Sequence, residues 1–327
     1  MRKYKNGVVL GKFLPPHFGH CYLIEAALAH AEKVTLLVYT MKTEPLQGML
    51  RAEALKQHFQ GRENLEIIWV EKLIPQNPDE HPDFWNIWMK EISSKVSGKI
   101  DCMFGSEEYV KTLGEVLDCD HMIIDIERNI VPTSGTACRA NTILEWENII
   151  PEFRHNIVKK ICFIGGESTG KSTMTKVMSK VFKTNYVEEY GREYCNIKPP
   201  SEFKSEDFFN IAIEQNRRSN DATKKSNRYL FCDTDTIVTQ CFHKLYIGEF
   251  YPCLDTLISI ENYFHYFLLA PTIEFEQDNT REFENDREKQ FLLIKSQLDK
   301  WNRKYTVIEE PDFFKRVEKI KFLINVI

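Results

Sequence analysis

The decapeptide GKFLPPHFGH, residues 11–20, sets His17 and His20 three positions apart in a stretch broken by two prolines and two glycines. Such a composition marks a loop, not a core segment. Two histidines at this spacing could ligate a metal, but no third ligand stands nearby. Anion binding is the better chemistry. At the start of a helix, imidazoles and backbone N–H groups can face a triphosphate, and Gly19 permits close backbone approach. Lys12, one residue after Gly11, adds positive charge. Donors placed where charge develops suit attack on an α-phosphate with pyrophosphate leaving, and no covalent nucleophile is required.

A second patch, PTSGTACRAN at 132–141, points the same way. Ser134 and Thr136 can cap a helix, Gly135 allows a tight turn, and Arg139 lands on the first helical turn. Alone, this pattern also fits a simple N-cap. Paired with the histidine loop, it reads as an anion site for the β- and γ-phosphates.

A third stretch, GGESTGKST at 165–173, fits G-x-x-x-x-G-K-[ST] through Gly165, Gly170, Lys171 and Ser172. An apolar run precedes it and an amphipathic one follows, the context this phosphate loop needs. The backbone of Gly165, Gly166, Glu167, Ser168, Thr169 and Gly170 would curl its N–H groups inward, with Thr173 opening the following helix. Lys171 would reach the β- and γ-phosphates and Ser172 would offer a hydroxyl to Mg²⁺. The metal shell also needs an acidic strand end. YLFCDTDTIVTQ supplies Asp233, directly after the apolar run, and Asp235, which reads as a metal ligand or as the cap of the next helix. VEEYGREYC at 187–195 reads as the end of another strand. It places Glu188 and Glu189 near an acceptor, to take a hydroxyl proton or hold a ribose, or else as a surface acidic pair. In EFEQDNTREFENDREKQ at 274–290, Arg281 and Arg287 fit either a lid closing over a triphosphate or a solvated helix face. Trp85 and Trp88 in PDFWNIWMKEI could stack on a cationic ring, or could simply be core residues.

The elements that must hold these groups alternate. Strand-like runs at 8–13, 33–40, 65–70, 101–105 and 121–125 are separated by helix-like stretches at 19–31, 49–60, 83–96 and 106–117. This predicts βαβ units with a parallel sheet and ligands beyond the strands' carboxyl ends. Pro151 interrupts a helical stretch. Then strands at 160–166, 229–233, 266–270 and 305–309 and a helix at 171–182 begin a second α/β domain. The division is placed at 1–152 and 153–327.

At 327 residues, two domains are the prior. A net charge of −5 does not suggest a nonspecific grip on nucleic acid. No apolar run approaches the roughly 18 residues a membrane span needs. The N-terminus reads as a first strand, not a signal peptide. Nine cysteines with no C-x-x-C pair argue against a disulfide framework or a cysteine zinc site and for a reducing, cytoplasmic setting.

Taken together, GKFLPPHFGH, FGSEEY (104–109), PTSGTACR, GGESTGKST, EEYGREY, DTD and QDNTR (277–281) resemble the NadR-type bifunctional proteins. These join a nicotinamide-nucleotide adenylyltransferase to a ribosylnicotinamide kinase. The resemblance covers nearly the whole chain. It implies a Rossmann-like nucleotidyltransferase domain followed by a P-loop kinase domain. The kinase would phosphorylate nicotinamide riboside with ATP. The first domain would join the mononucleotide (NMN) to AMP, forming NAD and pyrophosphate. Gly11, Lys12, Phe13, His17, Gly19, His20, Ser134, Gly135, Thr136 and Arg139 would then serve the first ATP. Trp85, Trp88, Glu188, Tyr190 and Arg192 would contact nicotinamide substrates, with Glu189 and Asp233 as catalytic carboxylates. Mg²⁺ is the implied cofactor, with no haem, flavin or zinc. The resemblance leaves room for a homo-oligomer. With the histidine loop starting at residue 11, neither a preceding DNA-binding domain nor a repressor role is expected. Two other readings remain: the same folds acting on pantetheine-phosphate or cytidylyl-type acceptors, and a nucleotide sensor with no activity.

Overall fold

Each half of the chain builds its own five-stranded, all-parallel sheet in the computed structural model, which describes residues 3–275 and 286–327. The two compact units are Met1–Ile157 and Val158–Ile327. In the first, β1 (Tyr4–Gly11), β2 (Ala31–Thr40), β3 (Leu65–Glu71), β4 (Cys102–Gly105) and β5 (Asp120–Ile123) lie in the order β3-β2-β1-β4-β5. Helices α1 (Phe18–His30), α2 (Gly48–His58), α3 (Phe84–Lys95) and α4 (Tyr109–Val116) make the crossovers. Val8, Val9 and the run Leu36–Val38 are wholly buried, as central strands covered on both faces must be. The strand order reverses between β1 and β4. The loop leaving the carboxyl end of β1 therefore opens at the crevice where such sheets bind ligands. The short α5 (Gly135–Ala140) follows β5, and α6 (Pro151–Arg154) comes near the end of this unit.

In the second unit, β6 (Lys159–Gly165), β7 (Tyr186–Val187), β8 (Tyr229–Asp233), β9 (His265–Leu269) and β10 (Tyr305–Ile308) lie in the order β10-β9-β6-β8-β7. They alternate with α7 (Lys171–Val181), α8 (Tyr190–Tyr194), α9 (Ser205–Thr223), α10 (Thr236–Ile247), α11 (Pro252–Ile260), α12 (Arg287–Lys300) and the final α13 (Phe313–Val326). The phosphate-loop sequence leaves the central strand β6, and Asp233 ends its neighbour β8. The strand expected to end in Glu188 and Glu189 is shorter than the sequence suggests. It pairs with β8 only through Tyr186 and Val187, because the chain turns at Glu189 to start α8. Among the described residues, no helix is long and apolar enough to cross a membrane.

A buried polar cluster in this unit carries a testable pH signature. The Glu261 carboxylate accepts from the Thr236 hydroxyl and from the Asn216 amide at 3.1 Å. Burial, and then the charge of Asp235, push its pKa up to about 8. Between its ordinary value of 4.5 and this one, the folded chain holds a proton that the unfolded chain has lost. Rising pH in that window therefore destabilises the fold. Glu261→Gln keeps an acceptor for both donors and removes the titration. Its melting temperature should exceed that of the wild type at pH 8, and the gap should close towards pH 4.5. Thermal melts across this range check it. A gap independent of pH would refute the assignment.

Candidate active sites

In the first unit the loop after β1 is tightly built. Phe13 adopts a left-handed conformation (φ 51°) and is buried. Its ring lies 4.8 Å from that of His20, and a Cβ on Gly11 would stand 3.1 Å from it. His17 precedes α1 in extended conformation, and its carbonyl accepts the N–H groups of His20 (2.9 Å) and Cys21 (3.2 Å). The two imidazoles stack with centroids 3.6 Å apart. Gly19 makes room for this stack, since a Cβ there would meet the His17 ring at 3.0 Å. The His17 N–H donates to Nδ1 of His20 at 3.3 Å, so His20 carries its own proton on Nε2. Nε2 of His17 is buried and meets no hydrogen-bond partner among the described residues. Burial, reinforced by Arg128 and Arg139, pulls the His17 pKa down to about 4. Burial and then His17 hold His20 well below its ordinary value. At neutral pH both rings are uncharged hydrogen-bond donors, not cations.

The second motif meets this loop directly. Ser134 caps α5 by accepting from the Ala137 N–H at 3.0 Å. Arg139 donates to the Leu14 carbonyl (2.6 Å) and to the Thr136 hydroxyl (3.1 Å). Gly135 eases the contact, because a Cβ there would stand 3.1 Å from the Leu14 carbonyl oxygen. The Lys12 ammonium lies 3.8 Å from Glu44, and the Lys12 carbonyl accepts from Arg51 at 2.7 Å. Arg51 is fully buried and also pairs with Glu44. Neither Arg51 nor Glu44 was marked by a motif: an arginine in an amphipathic helix ordinarily reads as solvated.

In the second unit Ser168 (φ 52°) and Gly170 (φ 85°) wind the phosphate loop. Gly165 permits a close passage, since a Cβ there would meet the Leu269 carbonyl oxygen at 2.7 Å. Lys171 is buried and donates to the Gly166 carbonyl at 2.8 Å. The Glu167 N–H donates to the Gln290 side chain at 2.8 Å, and Arg287 donates to the Ser168 carbonyl at 3.1 Å. Asp233 is buried beside the Ser172 hydroxyl, and its Oδ1 has no partner among the described residues. Burial, and then the charge of Glu189, hold its carboxyl above the usual range, with Lys171 opposing.

A cleft open to solvent adjoins this loop. Lys171, Glu189 and Arg192 supply its charged lining. Phe203, Phe208, Phe242 and Tyr246, which cluster together, supply an aromatic one. Sequence reasoning missed this aromatic wall: Phe208 on α9 and Phe242 and Tyr246 on α10 have the spacing of core positions, and periodicity does not distinguish a core from a cleft.

Other sequence-assigned residues fall elsewhere. Asp235 is not placed to hold a metal: one of its oxygens caps α10 at the Val238 N–H (3.2 Å) and the other accepts from the Tyr266 hydroxyl (2.9 Å). Trp88 is a core residue, edge-on to Tyr39 at 5.0 Å, with its indole N–H on the Pro75 carbonyl. Trp85 is half-buried, edge-on to Phe84 at 4.9 Å. Glu188 pairs with Lys176 on the surface at 2.6 Å and does not line the cleft. Tyr190 lies under Arg218, 4.4 Å from ring centroid to guanidinium. Thr173 is exposed on the first turn of α7. Arg281 lies outside the described residues. Among those residues, no group of three or more His, Cys, Asp or Glu is gathered as a metal site.

Comparison with known proteins bears on both units. A family model described as an AAA domain matches residues 160–316. The trifunctional NAD biosynthesis/regulator protein NadR of Salmonella typhimurium is 27% identical, over 99% of this chain and 85% of that protein. Its Escherichia coli namesake is 27% identical over 96% and 81%. A crystal structure of a NadR protein in complex with NR superposes with a TM-score of 0.75 at 22% identity, covering 94% of this chain and 90% of that one. Another, in complex with NAD and AMP-PNP, gives 0.79 at 20% identity, covering 99% and 97%.

Proposed function

We propose, on the footing that the chain belongs to the NadR family, that it is a bifunctional enzyme of NAD biosynthesis. Its second unit phosphorylates nicotinamide riboside with ATP. Its first unit adenylylates the resulting NMN with a second ATP, giving NAD and pyrophosphate. The observation that carries this reading is the presence of two phosphate cradles, one in each unit, each at the carboxyl end of its own parallel sheet.

In the kinase unit the riboside enters the cleft with its cationic pyridinium ring against the aromatic lining, where ring faces attract a cation. Glu189 orients the 5′-hydroxyl and accepts its proton as that oxygen attacks the γ-phosphorus. Lys171 leaves the Gly166 carbonyl for the phosphate oxygens, whose charge moves onto ADP as the bond breaks. The residues present fit a divalent cation: the partnerless Oδ1 of Asp233 and the hydroxyl of Ser172 are hard oxygen donors, and one carboxylate suffices where substrate phosphates complete the shell. Bound there, Mg²⁺ would supply charge neutralisation at the phosphates.

In the adenylyltransferase unit an NMN phosphate oxygen attacks the α-phosphorus of ATP and pyrophosphate departs. His17 and His20, both neutral, donate ring N–H bonds, that of His20 from Nε2, to oxygens on which charge grows. Arg139 and Lys12 supply the positive charge. Incubation with nicotinamide riboside, ATP and Mg²⁺, followed by mass analysis, tests the whole scheme. NMN should appear first and NAD after it. Absence of both products would overturn it.

A further inference from the structure

Arg316, on α13, is the most deeply buried Lys or Arg among the described residues of the kinase unit, at 2% exposure. Its guanidinium spends its donors on three separate segments. Nη1 donates to the Thr169 carbonyl at 2.9 Å, Nε to the Glu310 carbonyl at 2.7 Å, and Nη2 to the Thr272 hydroxyl at 3.0 Å. Nη1 also lies 3.6 Å from where a Cβ on Gly170 would stand, directly against the turn of the phosphate loop. No carboxylate forms an ion pair with it among the described residues; Glu310 offers its carbonyl, and its charge acts only from farther away.

Burying a guanidinium without an ion-pair partner is costly unless the fold gains something from its position. The phosphate loop shows what that gain is. An anion cradle works only if its N–H groups face the ligand and its carbonyls face away. Arg316 holds the Thr169 carbonyl outward, as Arg287 does for that of Ser168. The charge beneath the loop is then met by the triphosphate.

We propose that Arg316 is a positioning residue for phosphoryl transfer, bracing the phosphate loop through Thr169 and presenting it with a buried positive charge that the bound nucleotide neutralises. The proposal rests on the kinase reading of this unit and names a residue that no motif marks. Arg316 touches no reacting atom and acts through the loop. Its loss should therefore fall on ATP and on kcat, not on the riboside.

Arg316→Met and Arg316→Lys in the full chain test this, with adenylyl transfer as the internal control. Arg316→Met should lower kinase kcat about 100-fold, since small misplacement of reacting groups has effects of that size. It should raise the KM for ATP at least tenfold and leave the KM for nicotinamide riboside within twofold. Arg316→Lys keeps the charge but not the three-way fork. It should hold the KM for ATP within about threefold while kcat still falls at least tenfold. ADP titration by calorimetry should give weakened binding for the methionine variant and near-normal binding for the lysine one. A folded Arg316→Lys with wild-type kcat overturns the proposal, as does either variant raising both KM values equally. Should Arg316→Met fail to fold, the lysine variant decides alone. Wild-type chain that makes no NMN would refute the kinase reading instead, and the ADP titration would still judge Arg316.

Discussion

Replacing Lys171 by alanine is expected to lower phosphorylation of nicotinamide riboside about 1,000-fold and to leave adenylyl transfer at its wild-type rate. The size follows from what the ammonium does. Removing a single neutral donor from a site of developing charge commonly costs about 10²–10³ in kcat, and a full charge clamping transferring phosphoryl oxygens belongs at the upper end of that range or beyond it. Lys171 is buried and rests on the Gly166 carbonyl of its own loop, so it is poised a short swing from any bound phosphate. Its substitution removes one hydrogen bond and leaves the loop's other supports, from Gln290, Arg287 and Arg316, in place. Assaying each half-reaction separately, with NMN supplied directly for the second, measures the effect. A kinase rate within tenfold of wild type would remove Lys171 from the mechanism. A matching fall in adenylyl transfer would mean that one site serves both reactions.

Much of this arrangement was legible in the sequence where a local string dictates a backbone shape. GGESTGKS specifies a phosphate loop because Gly170 must take a left-handed turn and Gly165 must pass close to the Leu269 carbonyl. GKFLPPHFGH and PTSGTACR could be paired because both follow apolar strand runs, and the fold does bring them together at Leu14 through Arg139. What could not be read depends on contacts between distant segments. Arg316 meets Thr169 across 147 positions, and Arg51 meets Lys12 across 39. Neither pairing leaves a trace in local spacing. Asp233 and Asp235 are two apart, and only tertiary packing decides between them: one carboxylate faces Ser172 and the other the Tyr266 hydroxyl. Trp88 shows the same limit from the other side, for helical spacing fits a stacking platform and a core position equally well.

The adenylyltransferase unit should respond as sharply to His17→Asn, with a loss of adenylyl transfer of about 10²–10³-fold and an unchanged kinase rate. The His17 ring is buried, stacked on His20, and holds an Nε2 that meets no partner among the described residues. A fold that leaves such a group unsatisfied carries a cost that a ligand oxygen can relieve. A second signature separates this role from simple packing. The His17 pKa of about 4 lies below its ordinary 6.5, so between these values the unfolded chain binds a proton that the folded one refuses. Stability therefore rises with pH across that window, by about 3 kcal/mol for a group so placed. It is present in full above pH 6.5 and is lost as acid approaches pH 4. Asparagine does not titrate there, so His17→Asn should lose less stability than the wild type on going from pH 7 to pH 4.5, as thermal melts would show. If the variant makes NAD from NMN at more than a tenth of the wild-type rate, the neutral-donor mechanism is wrong. If its acid sensitivity matches that of the wild type, His17 is not the buried neutral group described.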